Sequence, residues 1–583
     1  MIGKVIYISD NLAHIKVEGN ILAQDMMNMH IVFEDENKKI IGEVEDMDME
    51  LIKVRFLGEI KDNRFLGGVI RKPSLSANVR LISKEEFGLI VGLETENSMM
   101  IGKSPLYDDY PLYVDVNDMF SNHSGIFGNT GSGKSWGLAR LLQNVFSNPN
   151  VVPFRSNIFI FDAYGEYHNA FKDINKINPN FYFKYYTTNI NDTEGNLLQI
   201  PLWLLDVDDM ALLLDAQDHA QLPIIEEMLK LVRVFSESTE MSIKYKNHLI
   251  AKAIMTILYT NQTSSSKRND IFSILATCST NEFNLEAPVQ GLGYVRKFRE
   301  CFIIDKEGSF TESILVTQYI SSFIDEELDK YESRERHYFN LNDLEKALNF
   351  TLISEGLLRN EKTYSEAIAL KVRLHSLVIG ENAKYFNYPE YITLEQYIAS
   401  LVTYTQGKKA QIINFNLEDI EDRIAKVITK IYTKMLFDFT KKLKVRASIP
   451  FHIFLEEAHR YVQNDNDKYL LGYNIFDRVA KEGRKYGLIF NLISQRPVEI
   501  SETVISQCSN FLIFKLNHPR DLDYIAKMLP NINQEIIEKQ KSLQPGTCVG
   551  FGKAFKIPMI IKMDPPSPPP HSSNCNVEER WKA

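Results

Sequence analysis

Cysteine is scarce in this chain: Cys278, Cys301, Cys508, Cys548 and Cys575 are the five in 583 residues. No two stand at C-x-x-C spacing, and no histidine cluster accompanies them. Scattered reduced thiols are the reading, which argues against a zinc site or a disulfide framework. No run approaches the roughly 18 apolar residues that a membrane helix needs. The start, Met1-Ile2-Gly3-Lys4, lacks the charged-then-apolar layout of a signal peptide, so a cytoplasmic protein with no membrane partner is expected. Positive charge is not in excess either, the formal net charge being −10. That argues against nucleic acid binding over the whole surface but leaves room for a basic lining confined to a pore or groove.

What is present is a long chain of ordinary globular composition, 44% hydrophobic and 24% charged. Such a length exceeds one ordinary core, and two or three domains are expected. Residues 1–95 hold short apolar runs, among them Val5–Ile8, Ile40–Val44 and Leu51–Phe56. Turn formers such as Asp10-Asn11 and Gly67-Gly68 separate them, a spacing that predicts a small β-barrel. From about 120 the apolar runs end in polar residues and lead into helical periodicity. Ile158–Phe161 runs into Asp162, Phe451–Leu455 into Glu456-Glu457, and Leu488–Ile493 into Ser494-Gln495-Arg496. Doubly apolar strands suit a parallel sheet covered on both faces, with functional groups at the carboxyl ends.

Together these predict an α/β protein with a helical insertion and an N-terminal small β-barrel. The expected divisions are 1–95 for the barrel, 96–202 and 406–563 for two parts of the α/β core, and 203–405 for a mainly helical insertion. Residues 564–583 make a Pro-rich tail, since Pro565-Pro566-Ser567-Pro568-Pro569-Pro570 suits neither helix nor sheet. Within the insertion, Ser264–Asp270 reads as an exposed loop.

Gly128-Asn129-Thr130-Gly131-Ser132-Gly133-Lys134-Ser135 fits G-x-x-x-x-G-K-[ST]. Glycines let successive backbone N–H groups turn inward around phosphates. Lys134 supplies a charge for the β and γ phosphates, and the Ser135 hydroxyl completes the shell of Mg²⁺. His123–Phe127 can be the strand leading in. Trp136, Leu138, Leu141, Leu142, Val145 and Phe146 follow on one helical face, so the loop opens a helix whose dipole favours anions. The expected ligands are therefore ATP and Mg²⁺, with 128–136 holding the nucleotide.

Hydrolysis also needs a metal-holding acid and a group to orient water. Glu456 is assigned to the metal shell and Glu457 to the attacking water. Asp162 fits either a position near the metal or an ordinary turn after a strand, and Glu166 is a second acidic candidate. Gln495 sits where a polar group could sense the γ-phosphate. Arg484 fits either an arginine finger reaching a neighbouring subunit's nucleotide or a solvated surface residue. The basic runs Lys441–Arg446 and Arg296–Arg299 read as solvated helix ends and surface more readily than as DNA contacts.

In combination, His123–Ser135, Asp162–Tyr167, Phe454–His459, Glu482–Gly487 and Ser494–Pro497 resemble the HerA family, within the HerA/FtsK group of ring ATPases. The resemblance implies that the α/β core is a RecA-like P-loop ATPase domain, with the helical insertion and N-terminal small β-barrel, and that the chain forms a homohexamer that binds ATP between subunits and moves double-stranded DNA through its centre. It also implies a partner effector, either a nuclease such as NurA or a sirtuin-type NAD-consuming enzyme, in DNA end processing or anti-phage defence. One position departs: relatives often carry an arginine before the histidine that leads into the P-loop, and here it is Asn122. A ring scaffold that assembles and gates an effector with little translocation would need the same P-loop. A metabolic P-loop enzyme would need neither the barrel nor the late arginine motif.

Overall fold

The computed structural model describes residues 2–18, 26–35, 38–48, 50–330, 337–354, 361–528, 540–572 and 577–582. Cys575 lies outside them. They form two compact units, one of residues 1–196, 398–465 and 474–583, the other of 197–397 and 466–473.

The first unit opens with strands β1 (Gly3–Ile8), β2 (Leu12–Val17), β3 (His30–Asp35), β4 (Lys38–Met47), β5 (Leu51–Lys61), β6 (Arg64–Gly67) and β7 (Asn78–Leu81). They pair antiparallel in the order β1-β2-β5-β4-β3-β7, with β6 on β5. Alternation in the sequence places Ala13, Ile15, Ile52, Val54 and Val79 on one buried face. Ile2 N–H donates to Val79 C=O at 2.8 Å, so the two edges approach each other. No continuous ladder joins β1 to β7 among the described residues. The predicted barrel is thus a curled sheet: one bond, not a strand pairing, spans its seam.

The second sheet is built from β8 (Ser98–Ser104), β9 (Tyr110–Asp115), β10 (Ser124–Phe127), β11 (Ile158–Asp162), β12 (Phe183–Thr187) and β13 (Asn196–Leu197). Strands β14 (Pro288–Gln290) and β15 (Val295–Lys297) form a separate hairpin in the second unit. The chain returns to the second sheet as β16 (Ile412–Asn416), β17 (Phe451–Leu455), β18 (Leu488–Ser494), β19 (Asn510–Phe514), β20 (Thr547–Gly552) and β21 (Met559–Lys562). Its order is β13-β12-β16-β11-β17-β18-β10-β19-β20-β21-β8-β9. From β12 to β19 neighbours run parallel, and from β19 to β9 antiparallel. Strands β11, β16, β18 and β19 are buried along their whole length, which explains their unbroken apolar runs. The parallel register brings the carboxyl ends of β10, β11, β17 and β18 to one edge.

The second unit is mostly helical, with helices Gln221–Ser236, Glu240–Leu258, Ser264–Cys278, Leu341–Ser354 and Glu361–Ile379. Ser264–Asp270, expected as a loop, is the first half of one of these. Thr263 caps it by accepting from Ser266 N–H, and the apolar anchors Ile271, Ile274 and Leu275 come only later. A polar opening turn therefore hid the helix. Arg296–Arg299 is also not a surface helix: it ends β15 and opens a short 3-10 turn that buries Phe298.

No helix among the described residues is long and apolar enough to cross a membrane.

Candidate active site

The glycine-rich loop joins β10 to the helix Lys134–Phe146, which buries Leu138, Leu141, Leu142, Val145 and Phe146. Gly131 and Gly133 have φ of +77° and +101°, where a side chain is strained. A Cβ on Gly133 would also lie 2.7 Å from Gly546 N. The loop is seated from both sides. Gly128 N–H donates to Ser494 C=O, Asn129 N–H to Lys515 C=O, and Gly546 N–H to Ser132 C=O. Its free N–H groups lie at a helix start, the arrangement that binds anions.

Glu456 and Glu457 close β17 beside that loop. Lys134 Nζ and Glu457 Oε1 are 3.0 Å apart, with side chains only 6% and 7% exposed, so the pair is largely shielded from water. Glu457 has φ 47° and ψ 48°, a left-handed conformation uncommon for such a residue, which aims its carboxylate at the loop. His459 Nδ1 lies 3.2 Å from Glu457 Oε2 and 3.0 Å from Ser494 Oγ.

Glu456 is buried, with Oε2 accepting from Ala163 N–H at 3.2 Å. Burial, followed by the charges of Asp162 and Glu166, holds its pKa well above the usual carboxylate range. Glu166 is also raised, mainly by burial, against a hydrogen bond with Ser135. Asp162 does not face the cavity. Its oxygens accept from Glu166 N–H, Tyr167 N–H and Asn414 Nδ2, which shapes the turn that presents Glu166.

These groups wall a cavity of about 800 Å³ that runs from Asn129–Gly137 past Tyr164, Glu166, Glu456, Glu457 and Gln495 to 562–566 and 571–572. Gln495 Oε1 accepts from Thr130 Oγ1 at 2.7 Å, tying the end of β18 to the loop. Trp136, 42% exposed, stands at the far side and donates from Nε1 to Ser572 Oγ at 2.9 Å.

Residues 99–285 match the family described as "Helicase HerA, central domain". A Methanocaldococcus jannaschii protein named a probable helicase is 23% identical over 574 residues, 97% of this chain and 85% of that one. The DNA double-strand break repair helicase HerA of Pyrococcus furiosus is 21% identical over 557 residues, 95% of this chain and 82% of its own length. Over most of its length the chain is similar to proteins named HerA or probable helicase. Similarity to HerA of Sulfurisphaera tokodaii is higher but local: 31% over 177 residues, 30% of this chain and 35% of that one. The HerA central-domain match takes in the P-loop, Asp162 and Glu166. Glu456, Glu457 and Gln495 lie beyond it and stand here on geometry.

Arg484 is away from the cavity. It sits exposed on the turn Gly483–Tyr486, before β18, whereas Gln495 follows β18. At about 3.3 Å per residue, a seven-residue strand puts the two roughly 20 Å apart. Its Nη1 donates to Asn122 Oδ1 at 2.9 Å, so the residue that departs from the HerA pattern is the one Arg484 touches. Between them and the sheet, His123 accepts at Nδ1 from Phe490 N–H, and Nε2 lies 3.1 Å from Ala480 C=O. That fixes a neutral ring with its proton on Nε2, and burial pushes its pKa down to about 4.

Three contributors to the cavity or to its acidic pair were not singled out by the sequence. His459 carried no signal beyond its motif. Pro545-Gly546 lies far along the chain, in a turn with no pattern of its own. The proline run, expected as a tail, folds back along the P-loop helix.

Proposed function

We propose that this HerA-related chain hydrolyses ATP and that, as a homohexamer with the RecA-like division of domains expected above, it moves along double-stranded DNA. The observation that carries the hydrolytic part is the Lys134–Glu457 ion pair inside a cavity walled by the glycine-rich loop. The motor part rests on the names of its relatives, helicases and double-strand break repair helicases. Action with an effector, a nuclease or a sirtuin-type NAD-consuming enzyme, follows from the HerA resemblance, as does a role in end processing or phage defence.

Lys134 is paired with Glu457. An arriving triphosphate offers Lys134 oxygens of higher charge, and Glu457 is released to accept a proton from the attacking water. Gln495, bonded to Thr130 of the loop, is the polar group offered to a γ-phosphate. Ser135, Glu456 and Glu166 are the side chains that fit magnesium. Glu166 Oε2 is buried without a hydrogen-bond partner, so donor capacity is spare. Among the described residues no three His, Cys, Asp or Glu side chains are arranged to hold a metal by themselves. That suits an ion whose shell needs phosphate oxygens and waters. Bound there, magnesium would offset the negative charge of the phosphates. Arg484, far from its own cavity, is available to another copy's nucleotide.

The test is molar mass and ATPase rate of the full chain, with and without duplex DNA, beside Lys134→Ala. A hexamer whose activity rises with DNA and falls at least about 100-fold in the variant is expected. Hexamers with DNA-independent hydrolysis would favour the ring scaffold, and a DNA-indifferent monomer would remove the motor.

A further inference from the structure

The proline-rich segment Asp564–Ser572 lies against the nucleotide cavity and is pinned there by side chains of the P-loop helix. Prolines have no N–H and cannot enter a ladder, so their carbonyls must find donors elsewhere. Pro565 C=O accepts from Arg140 Nη1 at 3.3 Å, Pro568 C=O from Gln143 Nε2 at 2.8 Å, and Pro569 C=O from Asn169 Nδ2 at 2.9 Å. Gln143 also receives Ser567 N–H on Oε1 at 2.8 Å. Asp564 is fixed by Lys103 at 2.9 Å. At the far end His571 N–H donates to Glu166 C=O at 2.8 Å, and Ser572 Oγ takes the Trp136 indole N–H. The strap is thereby tied both to the helix that carries Lys134 and to the turn that carries Glu166.

A phosphate chain seated at Gly128–Ser135 leaves its nucleoside to occupy the rest of the cavity. The walls there are the half-exposed indole of Trp136, with Met563, Pro565 and Pro566. These are flat or apolar surfaces in a site that is otherwise charged. We propose that the strap forms the base-binding wall of this cavity and, with Trp136, holds the planar nucleobase of a nucleoside triphosphate. This rests on the nucleotide reading above and extends it to the base.

Competition binding on the full-length protein separates the two, with ATP as one probe and inorganic tripolyphosphate, which lacks a base, as the other. Gln143 is buried on the helix outside the cavity lining, so Gln143→Ala loosens the strap without touching the pocket wall. Base–aromatic stacking is strong enough that ATP should bind about tenfold or more weakly in this variant, with tripolyphosphate unchanged. Should Gln143→Ala fail to fold, Ser572→Ala removes the tie to Trp136 at an accessible position and must show the same split. Equal loss of both probes, or of neither, overturns the strap proposal. Wild-type protein that takes up tripolyphosphate no better than Lys134→Ala would instead sink the P-loop reading itself.

Discussion

The motif residues at the two ends of β10, β17 and β18 are drawn from the same polar vocabulary, yet they are bonded differently, even though His452 near the amino end of β17 also keeps a buried Nδ1 without a partner. At the amino ends, His123 has both ring nitrogens engaged and Arg484 is bonded to Asn122. At the carboxyl ends, Glu457 sits in a left-handed conformation, Glu166 keeps a buried oxygen without a partner, and burial with neighbouring acids raises the pKa of Glu456. Satisfied polar groups stabilise a fold, whereas strained or under-bonded ones gathered around one cavity leave bonding capacity there for a ligand. Motif residues alone do not reveal which kind they are; their bonding does.

The strongest way to break this contrast is Glu457→Gln. The amide keeps the shape but accepts a proton poorly, so kcat should fall by about 100-fold or more. ATP affinity should hold or rise, because Lys134 no longer has a competing anion. Stopped-turnover kinetics with separate binding measurements decide it, and a loss confined to KM would remove Glu457 from the chemistry.

Arg484→Ala sharpens the amino-end side. If that arginine serves a neighbour's nucleotide, hydrolysis should fall by roughly tenfold or more in assembled protein while ATP binding by each subunit stays. Mixing it with Lys134→Ala subunits should restore some activity, since each variant then supplies what the other lacks. No recovery in mixed assemblies, or a simple drop in melting temperature, would return Arg484 to a structural role on Asn122.

How far the sequence reached can be followed along the same strands. Doubly apolar runs ending in Asp162, Glu456 and Ser494 were readable because burial on both faces of a parallel sheet demands them. The glycine loop was readable because positive φ and close approach leave few alternatives at Gly131 and Gly133. Asp162 shows the limit: a carboxylate that caps a turn and one that faces a cavity look identical in sequence, and only its three N–H donors tell them apart. The curled sheet was expected as a closed barrel because alternation reports faces, not whether the last strand meets the first. The strap was invisible because its anchors, Arg140, Gln143 and Asn169, are more than 390 residues away.

A smaller effect separates the two ends by pH. Burial pushes His123 and His452 down to about 4, while both return to about 6.5 when unfolded. The unfolded chain then binds more protons between those values, so this contribution is full above about pH 6.5 and falls as pH drops toward 4. Each histidine accounts for up to about 3 kcal/mol. Glu456 and Glu166 are raised, so the folded chain is the better proton binder there. Their contribution is full below the ordinary carboxylate pKa and falls as pH rises through their folded values. Denaturant midpoints of nucleotide-free protein across pH 4–8 should show a flatter acid limb in His123→Gln and a flatter alkaline limb in Glu456→Gln. Identical limbs in wild type and both variants would show that these groups do not govern stability.

The smallest expected effect probes how tightly the carboxyl end is organised. Thr130 and Gln495 join the glycine loop to the end of β18 by one exposed hydrogen bond of 2.7 Å. Thr130→Val keeps the side-chain shape and removes the hydroxyl, and a neutral bond of this kind contributes about 1 kcal/mol or less. The loop itself is seated by three backbone bonds that do not involve this side chain, so the denaturant midpoint should stay unchanged. Gln495 would lose its tether, and an untethered amide spends less time in the geometry a γ-phosphate needs. A two- to fivefold fall in kcat with KM nearly constant is the expected result. A rise in KM alone would mean that Thr130 grips the ground-state nucleotide directly, and the link from loop to β18 would then have no part in sensing the phosphate.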